Sequence, residues 1–339
     1  MDGAAAGDTV AAETAAVSGP GTVDSGAGGS QSEDLGVQTE DTKSAKSVAQ
    51  GETEAMDSGT LFHVDIPVRL PSALSPSRAG DFMQCPLLFR LRVVDKVPEP
   101  PSSAATRGTL VHAVLDRLFD LPAGARTPDE AAALLQPEWD RLLAKNPELG
   151  TLFDTPQELT EWLATAKSLL GRYFTLEDPN RLEPAEREWF VRATVGEGED
   201  RLVLRGVVDR LDVAPNGLLR VVDYKTGKAP PAAYEAKTMF QMKFYALMLW
   251  RLRGVVPKRL QLIFLGSGSV LTYDPDEGDL RAVEQKIAAV WTAIREAAQR
   301  REWPTSTSRL CDWCSFKPIC PAHGGTPPPA PLVEFLPAS

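Results

Sequence analysis

RLVLRGVVDRLDVAPNGLLRVVDYKTG, residues 201–227, decides how this chain is built. Arg201–Val213 and Leu218–Lys225 are rich in β-branched and aliphatic side chains, and Pro215-Asn216-Gly217 stands between them. Two such runs around a short Gly-containing turn read as a β-hairpin. A three-residue loop is usually a type I turn followed by a residue in the left-handed region. Pro215 suits the first position, Asn216 the second and Gly217 the left-handed one. Ala214 then pairs with Leu218, and counting outward sets Asp209 directly opposite Asp223. Opposed residues project to the same face of a sheet, and Lys225, two residues beyond Asp223, shares that face. Two carboxylates and an ammonium are therefore expected to converge. A two-residue Asn-Gly loop would shift the register by one and send Asp209 to the other face.

Outward from the hairpin the pattern turns helical. Residues 108–121 carry apolar side chains at 110, 111, 114, 115, 118 and 119, the spacing of one helix face, with His112 among them. Thr127-Pro-Asp-Glu130 and Thr155-Pro-Gln-Glu158 each offer a Thr N-cap, Pro at the first helical position and Glu at the third. They mark an all-helical insert at about 127–176. Further helices are expected at about 233–253 and 278–302, with a strand pair, or a strand and its return, at 258–273. Strands interleaved with helices give an α/β core.

The first sixty residues hold eleven acidic side chains and two lysines, so they carry −9 of the net −10 and leave the rest near −1. Poor in apolar and aromatic residues, they cannot offset the entropy of ordering and are expected to be a disordered acidic tail. The Pro-rich stretch at 325–331 is expected to be extended, making 325–339 a C-terminal tail and 61–324 the folded body. No apolar run of about 18 residues predicts a membrane span. The N-terminus lacks a basic start followed by an apolar stretch, so the expectation is a cytoplasmic protein without a secretory signal. The near-neutral body neither advertises nor excludes a nucleic-acid partner.

Two carboxylates at close quarters repel unless a cation lies between them, and oxygen ligands suit Mg²⁺ or Mn²⁺. Such an ion polarises a phosphoryl oxygen and lowers the pKa of bound water, while a neighbouring Lys stabilises developing charge. The competing reading is a surface Asp–Asp–Lys salt network. His112, taken alone, reads more readily as a satisfied core histidine. Gln241 and Tyr245, four apart, share a helix face and by themselves imply only surface hydrogen bonding. Arg107 and Gly108, at the expected start of the His112 helix, could present backbone N–H groups to a phosphate. Thr226-Gly227-Lys228 does not complete a nucleotide phosphate-loop, because Val222 and Ala229 stand where glycine and Ser/Thr are needed. The chain thus carries no ATPase of its own.

The four cysteines are Cys85, Cys311, Cys314 and Cys320, the last three as C-x2-C-x5-C. A reducing compartment disfavours disulfides. Four thiolates suit either a [4Fe–4S] cluster or a tetrahedral zinc, and spacing does not choose. Either would clasp the front of the body to its end, with Trp313 and Phe316 available to pack around the metal.

Taken in order, Cys85, Arg107-Gly108 with His112, Gly206-Val-Val-Asp209-Arg210, Val222-Asp223-Tyr224-Lys225-Thr226-Gly227, Gln241 with Tyr245 and three late cysteines resemble the RecB-family exonucleases of the PD-(D/E)XK nuclease superfamily. The likeness is to the iron–sulfur branch, which includes the CRISPR-associated RecB-like exonucleases and the AddB nuclease domain, and spans about residues 72–322. Leu74-Ser-Pro-Ser77 and Cys85-Pro86 are also similar to that branch. The resemblance implies a restriction-endonuclease-like mixed sheet flanked by helices. It implies metal ligation by His112, Asp209 and Asp223, helped by the Tyr224 carbonyl, with Lys225 orienting water and Gln241 and Tyr245 beside the scissile phosphate. Asp223 stands where many members carry Glu. It further implies a [4Fe–4S] cluster on the four cysteines, Mg²⁺ or Mn²⁺ at the site, DNA with single-stranded ends as substrate, and a helicase or recombination partner. The competing expectation is a DNA-binding or assembly module that keeps the fold without catalysis.

Overall fold

The hairpin at 202–225 is the centre of the sheet. In the computed structural model, which describes residues 68–70, 72–198 and 201–334, strands β4 (Leu202–Val213) and β5 (Leu219–Lys225) pair antiparallel from Val213↔Leu219 to Arg210↔Val222. That is the register the three-residue loop requires. Gly217 takes φ 81°, and Ala214 N–H donates to the Leu218 carbonyl at 2.9 Å. The acidic segment 1–60, read as disordered, lies outside the described residues, as do residues 61–67 and 335–339.

The strand pair expected at 258–273 is β6 (Arg259–Phe264) and β7 (Ser269–Tyr273); β6 runs parallel to β5 and β7 antiparallel to β6. A parallel neighbour needs a crossover, and helix α7 (Glu235–Arg253) supplies it. On the other edge of β4 lie β3 (Glu186–Val195), antiparallel along its length, and the short parallel β2 (Ala73–Leu74). The result is a six-stranded mixed sheet.

Each face of the sheet has its own core. On one, α1 (Pro76–Gln84), α2 (Pro86–Phe89), α7 and α8 (Glu277–Arg300) bury Leu204, Val208, Leu211, Val221 and Leu262 of the strands. On the other, α3 (Ser103–Leu118), α4 (Pro128–Ala133), α5 (Leu135–Lys145) and α6 (Pro156–Leu176) cover Val222, Tyr224, Ile263 and Leu265. The last three are helical where the capping signatures at 127 and 155 fall: both Thr hydroxyls accept from the Glu N–H three residues on, at 3.2 Å. Helix α3 starts earlier than its apolar spacing suggested, at Ser103 with Ser102 as cap. Arg107 and Gly108 therefore lie in its second turn, where backbone N–H groups are spent within the helix, and they offer no phosphate cradle.

Two departures from regular structure shape the molecule around this hairpin and at its end. Side chains alternate along a strand, yet Leu204, Val208 and Leu211 of β4 all face the α7 layer. The alternation therefore breaks between Val208 and Arg210. Opposite this break, β3 places Glu188 at φ 42°. The C-terminal end also differs from a free tail. Arg90 donates to the Pro328 carbonyl, Arg301 Nε to the Ala330 carbonyl at 3.0 Å, and β8 (Val333–Glu334) pairs parallel with β1 (Val68–Arg69). The Pro-rich stretch is extended, as its composition requires, but docked. Among the described residues no helix is long and apolar enough to cross a membrane.

Candidate active site

Strands β4 and β5 part just beyond the Arg210↔Val222 pair. Ala214 and Leu218 are a hydrogen-bonded pair, so alternation would next send the Tyr224 N–H to Val208. Instead it donates to Asp209 Oδ2 at 2.8 Å. A carboxylate thus takes the place of a rung in the ladder, at the point where the strands open. The residues beside it hold the opening rigid. Arg210, 1% exposed, donates to Glu177 at 2.7 and 2.8 Å and to the Tyr224 hydroxyl at 2.6 Å, and lies 3.1 Å from Asp212. Arg210 and Tyr224 lock on the α3 side while Asp223 and Lys225 turn toward α7. This is the reason for Asp-Arg in one strand and Asp-Tyr-Lys in the other.

Asp223 is buried at 1% exposure. Its Oδ1 accepts from Gln241 Nε2 at 3.1 Å, and Lys225 Nζ lies 2.6 Å from its Oδ2. No donor is aligned to make a hydrogen bond to that buried Oδ2. Lys225 Nζ also donates to Gln241 Oε1 at 2.9 Å, and Gln241 Nε2 reaches the Tyr245 hydroxyl at 3.1 Å. Gly206 makes room for Tyr245: a Cβ there would stand 2.7 Å from the Tyr245 ring. From the opposite layer, His112 on α3 reaches the same gap, with Nε2 2.9 Å from the Tyr224 carbonyl and Nδ1 3.4 Å from Asp209 Oδ2. All seven residues that the sequence nominated for this site therefore meet around one opening, between a hollow of about 790 Å³ on the His112 side and a groove of about 700 Å³ lined by Gln241, Tyr245, Arg205 and Phe190.

One further acid is present that the sequence reading missed. Glu188 of β3 falls opposite Asp209, between the pairs Arg187↔Arg210 and Trp189↔Val208, and its Oε1 is 4.0 Å from His112 Nδ1. His112, Glu188 and Asp209 each bring one ligand atom within 4.8 Å of the others. A non-glycine residue at positive φ costs about 1–3 kcal/mol and persists where the surroundings impose it. The available signal was an acid in an alternating strand, but Glu183, Glu186 and Glu188 all offered it.

The electrostatics follow from crowding. Burial pushes the Asp209 carboxyl well above its usual range, and the Asp223 charge adds to that. Burial also raises Glu188, with Asp116 and Asp223 contributing. Burial lowers His112, which keeps its imidazole neutral and fit to ligate. Crowded carboxylates beside a neutral imidazole form an oxygen-rich donor set for a divalent cation.

The four cysteines line a second cavity of about 490 Å³. The Ser306 N–H donates to Cys85 Sγ and the Ser308 N–H to Cys311 Sγ, both at 3.4 Å. Phe316 is buried against it, whereas Trp313, expected to pack there too, is 78% exposed. Trp303 is buried elsewhere, stacked 6.0 Å from Phe89 and edge-on to Phe82 at 6.5 Å, and does not line the cysteine cavity.

A mixed sheet that opens between an Asp strand and an Asp-x-Lys strand, flanked by helices bearing His and Gln/Tyr, defines a nuclease class. The chain belongs to the PD-(D/E)XK nuclease superfamily, whose family model matches residues 73–321. It is 25% identical over 295 residues to the Gene 69 protein of Mycobacterium phage D29, covering 77% of this chain and 99% of the phage protein. Among solved structures it is similar to a candidate exonuclease from Eubacterium rectale, with 14% identity, a TM-score of 0.48 and coverage of 72% and 87% of the two chains. SSO0001 is more distant, at 14% identity and a TM-score of 0.36, with coverage of 76% and 89%.

Proposed function

We propose that the protein is a metal-dependent exodeoxyribonuclease of the RecB-like, iron–sulfur branch, acting on single-stranded DNA ends in repair or recombination. The observation that carries the reading is the gap between β4 and β5, where His112, Asp209, Asp223, Lys225 and Gln241 meet. His112, Asp209 and Asp223 hold Mg²⁺ or Mn²⁺, with the Tyr224 carbonyl beside them. The bound ion supplies Lewis-acid polarisation of the scissile phosphodiester and lowers the pKa of a water. Lys225 orients the attacking water and meets charge as it develops. Gln241 bridges Lys225 to Asp223, so the ammonium stands ready before substrate arrives. Tyr245 extends the same hydrogen-bond line into the groove that holds the exposed Phe190 and Arg205. An aromatic face and a guanidinium there suit an unstacked strand, which supports single-stranded ends. A separate helicase or recombination partner for strand separation belongs to this proposal.

Cys85, Cys311, Cys314 and Cys320 hold a [4Fe–4S] cluster in this reading. Among the described residues no three cysteine sulfurs come within 4.8 Å of one another. Four thiolates suit either a [4Fe–4S] cluster or a tetrahedral zinc, and the choice of the cluster rests on the resemblance to the iron–sulfur branch. The N–H···S bonds from Ser306 and Ser308 are of the kind that tune such clusters.

The test is hydrolysis of end-labelled single- and double-stranded DNA with Mg²⁺ or Mn²⁺. Lys225→Ala is expected to lower the rate by about 10²–10³-fold in protein that a melting curve shows to be folded, and Asp209→Ala to remove activity. Equal degradation by wild type and both variants would assign the activity to a contaminant.

A further inference from the structure

The hydrogen bond between His112 Nε2 and the Tyr224 carbonyl settles the tautomer of the ring. A carbonyl oxygen only accepts, so Nε2 carries the proton. The neutral ring then has its bare lone pair on Nδ1, which faces two further acceptors, Asp209 Oδ2 at 3.4 Å and Glu188 Oε1 at 4.0 Å. Nδ1, Asp209 Oδ2 and Glu188 Oε1 bring three lone pairs within 4.8 Å of one another, Oδ2 also accepting from the Tyr224 N–H, and a positive centre between them relieves their mutual repulsion. A proton serves in the metal-free protein. A divalent cation serves better, because it satisfies all three at once, and the second ring nitrogen is already tied to an acceptor, as metal-binding histidines are.

Glu188 reaches this position by a route an ordinary strand does not provide. Its neighbours keep their register with β4, Arg187 with Arg210 and Trp189 with Val208. Glu188 itself takes φ 42°, opposite the break in alternation between Val208 and Arg210. Three adjacent strands thereby set one carboxylate each in a single row, Glu188, Asp209 and Asp223.

We infer that Glu188 is a direct ligand of the divalent metal, joining Asp209 and His112 Nδ1 in one coordination sphere. This deepens the nuclease reading and rests on it. Glu188 lines the hollow on the His112 side together with Asp116 and Glu138. Glu188 would thus add to the His112, Asp209 and Asp223 donor set from the His112 side of the opening. The Tyr224 carbonyl acts in this geometry as the acceptor that orients His112.

The measurement is Mn²⁺ binding to the full-length protein by calorimetry, with the Mn²⁺ electron paramagnetic resonance signal as a second readout and melting in EDTA as the folding control. Glu188→Gln, which keeps size and removes the charge, is expected to weaken Mn²⁺ at least tenfold while melting in EDTA at or above the wild-type temperature. Glu188→Gly, which also relieves the left-handed backbone, is expected to melt higher still and bind as weakly. Asp209→Asn is expected to abolish binding. If Asp209→Asn abolishes binding while both Glu188 variants bind within twofold of wild type, Glu188 is no ligand and this inference falls while the metal site stands. If the wild-type protein binds no Mn²⁺, the nuclease reading falls with it.

Discussion

The two cavities that collect ligand-type side chains are built on opposite plans. Around Asp209 and Asp223 the donors come from the central strands and are already bonded to one another and to the backbone: Lys225 to Gln241, Gln241 to Asp223, Asp209 to Tyr224 N–H, His112 to the Tyr224 carbonyl. Around the cysteines they come from single-turn 3₁₀ segments at Arg309–Trp313 and Lys317–Ile319, plus Cys85 at the junction of α1 and α2. The sulfurs there receive only two backbone N–H groups among the described residues. The first site is held by the sheet itself. In the proposed reading the second would gain its order from the group it binds, since metal-binding free energy at such a site is folding free energy.

The sharpest way to break this contrast is at Cys85. Cys85→Ser is expected to remove the visible absorption of an anaerobic preparation and to cost stability on the order of 5 kcal/mol or more, given that structural metal sites contribute ~10 kcal/mol. Chelating divalent metal from the sheet site should leave the fold intact. A Cys85→Ser protein with full thermal stability would erase the distinction. A smaller loss, about 3–5 kcal/mol, is expected for Arg210→Ala. That change strands Glu177 and Asp212 without their buried partner and frees the Tyr224 ring. Denaturant melts measure it, and a change below about 1 kcal/mol would show that the strand opening is held by something else.

The smallest effect is a pH dependence confined to the sheet site. Asp209 is raised by burial and by Asp223. It therefore contributes stability while protonated, fully below its unfolded value, and that contribution is lost as pH rises through the raised value. Metal needs the carboxylate, so affinity climbs over the same interval. His112, lowered by burial, titrates below its ordinary range and does not set the limb on the basic side of that range. The gap between Mn²⁺-loaded and metal-free melting temperatures is expected to widen as pH rises through the raised Asp209 value, and Asp209→Asn to flatten it. A gap that narrows with rising pH would assign the titration to another group.

Sequence alone settled what depends on local geometry. Pro215-Asn216-Gly217 admits one economical turn, and the period of two in each strand then fixes which residues oppose. Hence the Arg210↔Val222 register, and with it the nearness of Asp209, Asp223 and Lys225, could be counted out before any fold was known. Helix caps at Thr127 and Thr155 were legible for the same reason, since a cap involves residues only three apart. Tertiary structure decided what depends on the path of the chain between elements. Glu188 faces Asp209 only because β3 returns alongside β4 and twists to positive φ there, and no local pattern separates it from its acidic neighbours. The docking of the Pro-rich end and the exposure of Trp313 have the same origin. Contacts between residues hundreds of positions apart are set by how whole layers pack, and short-range propensity carries no record of that.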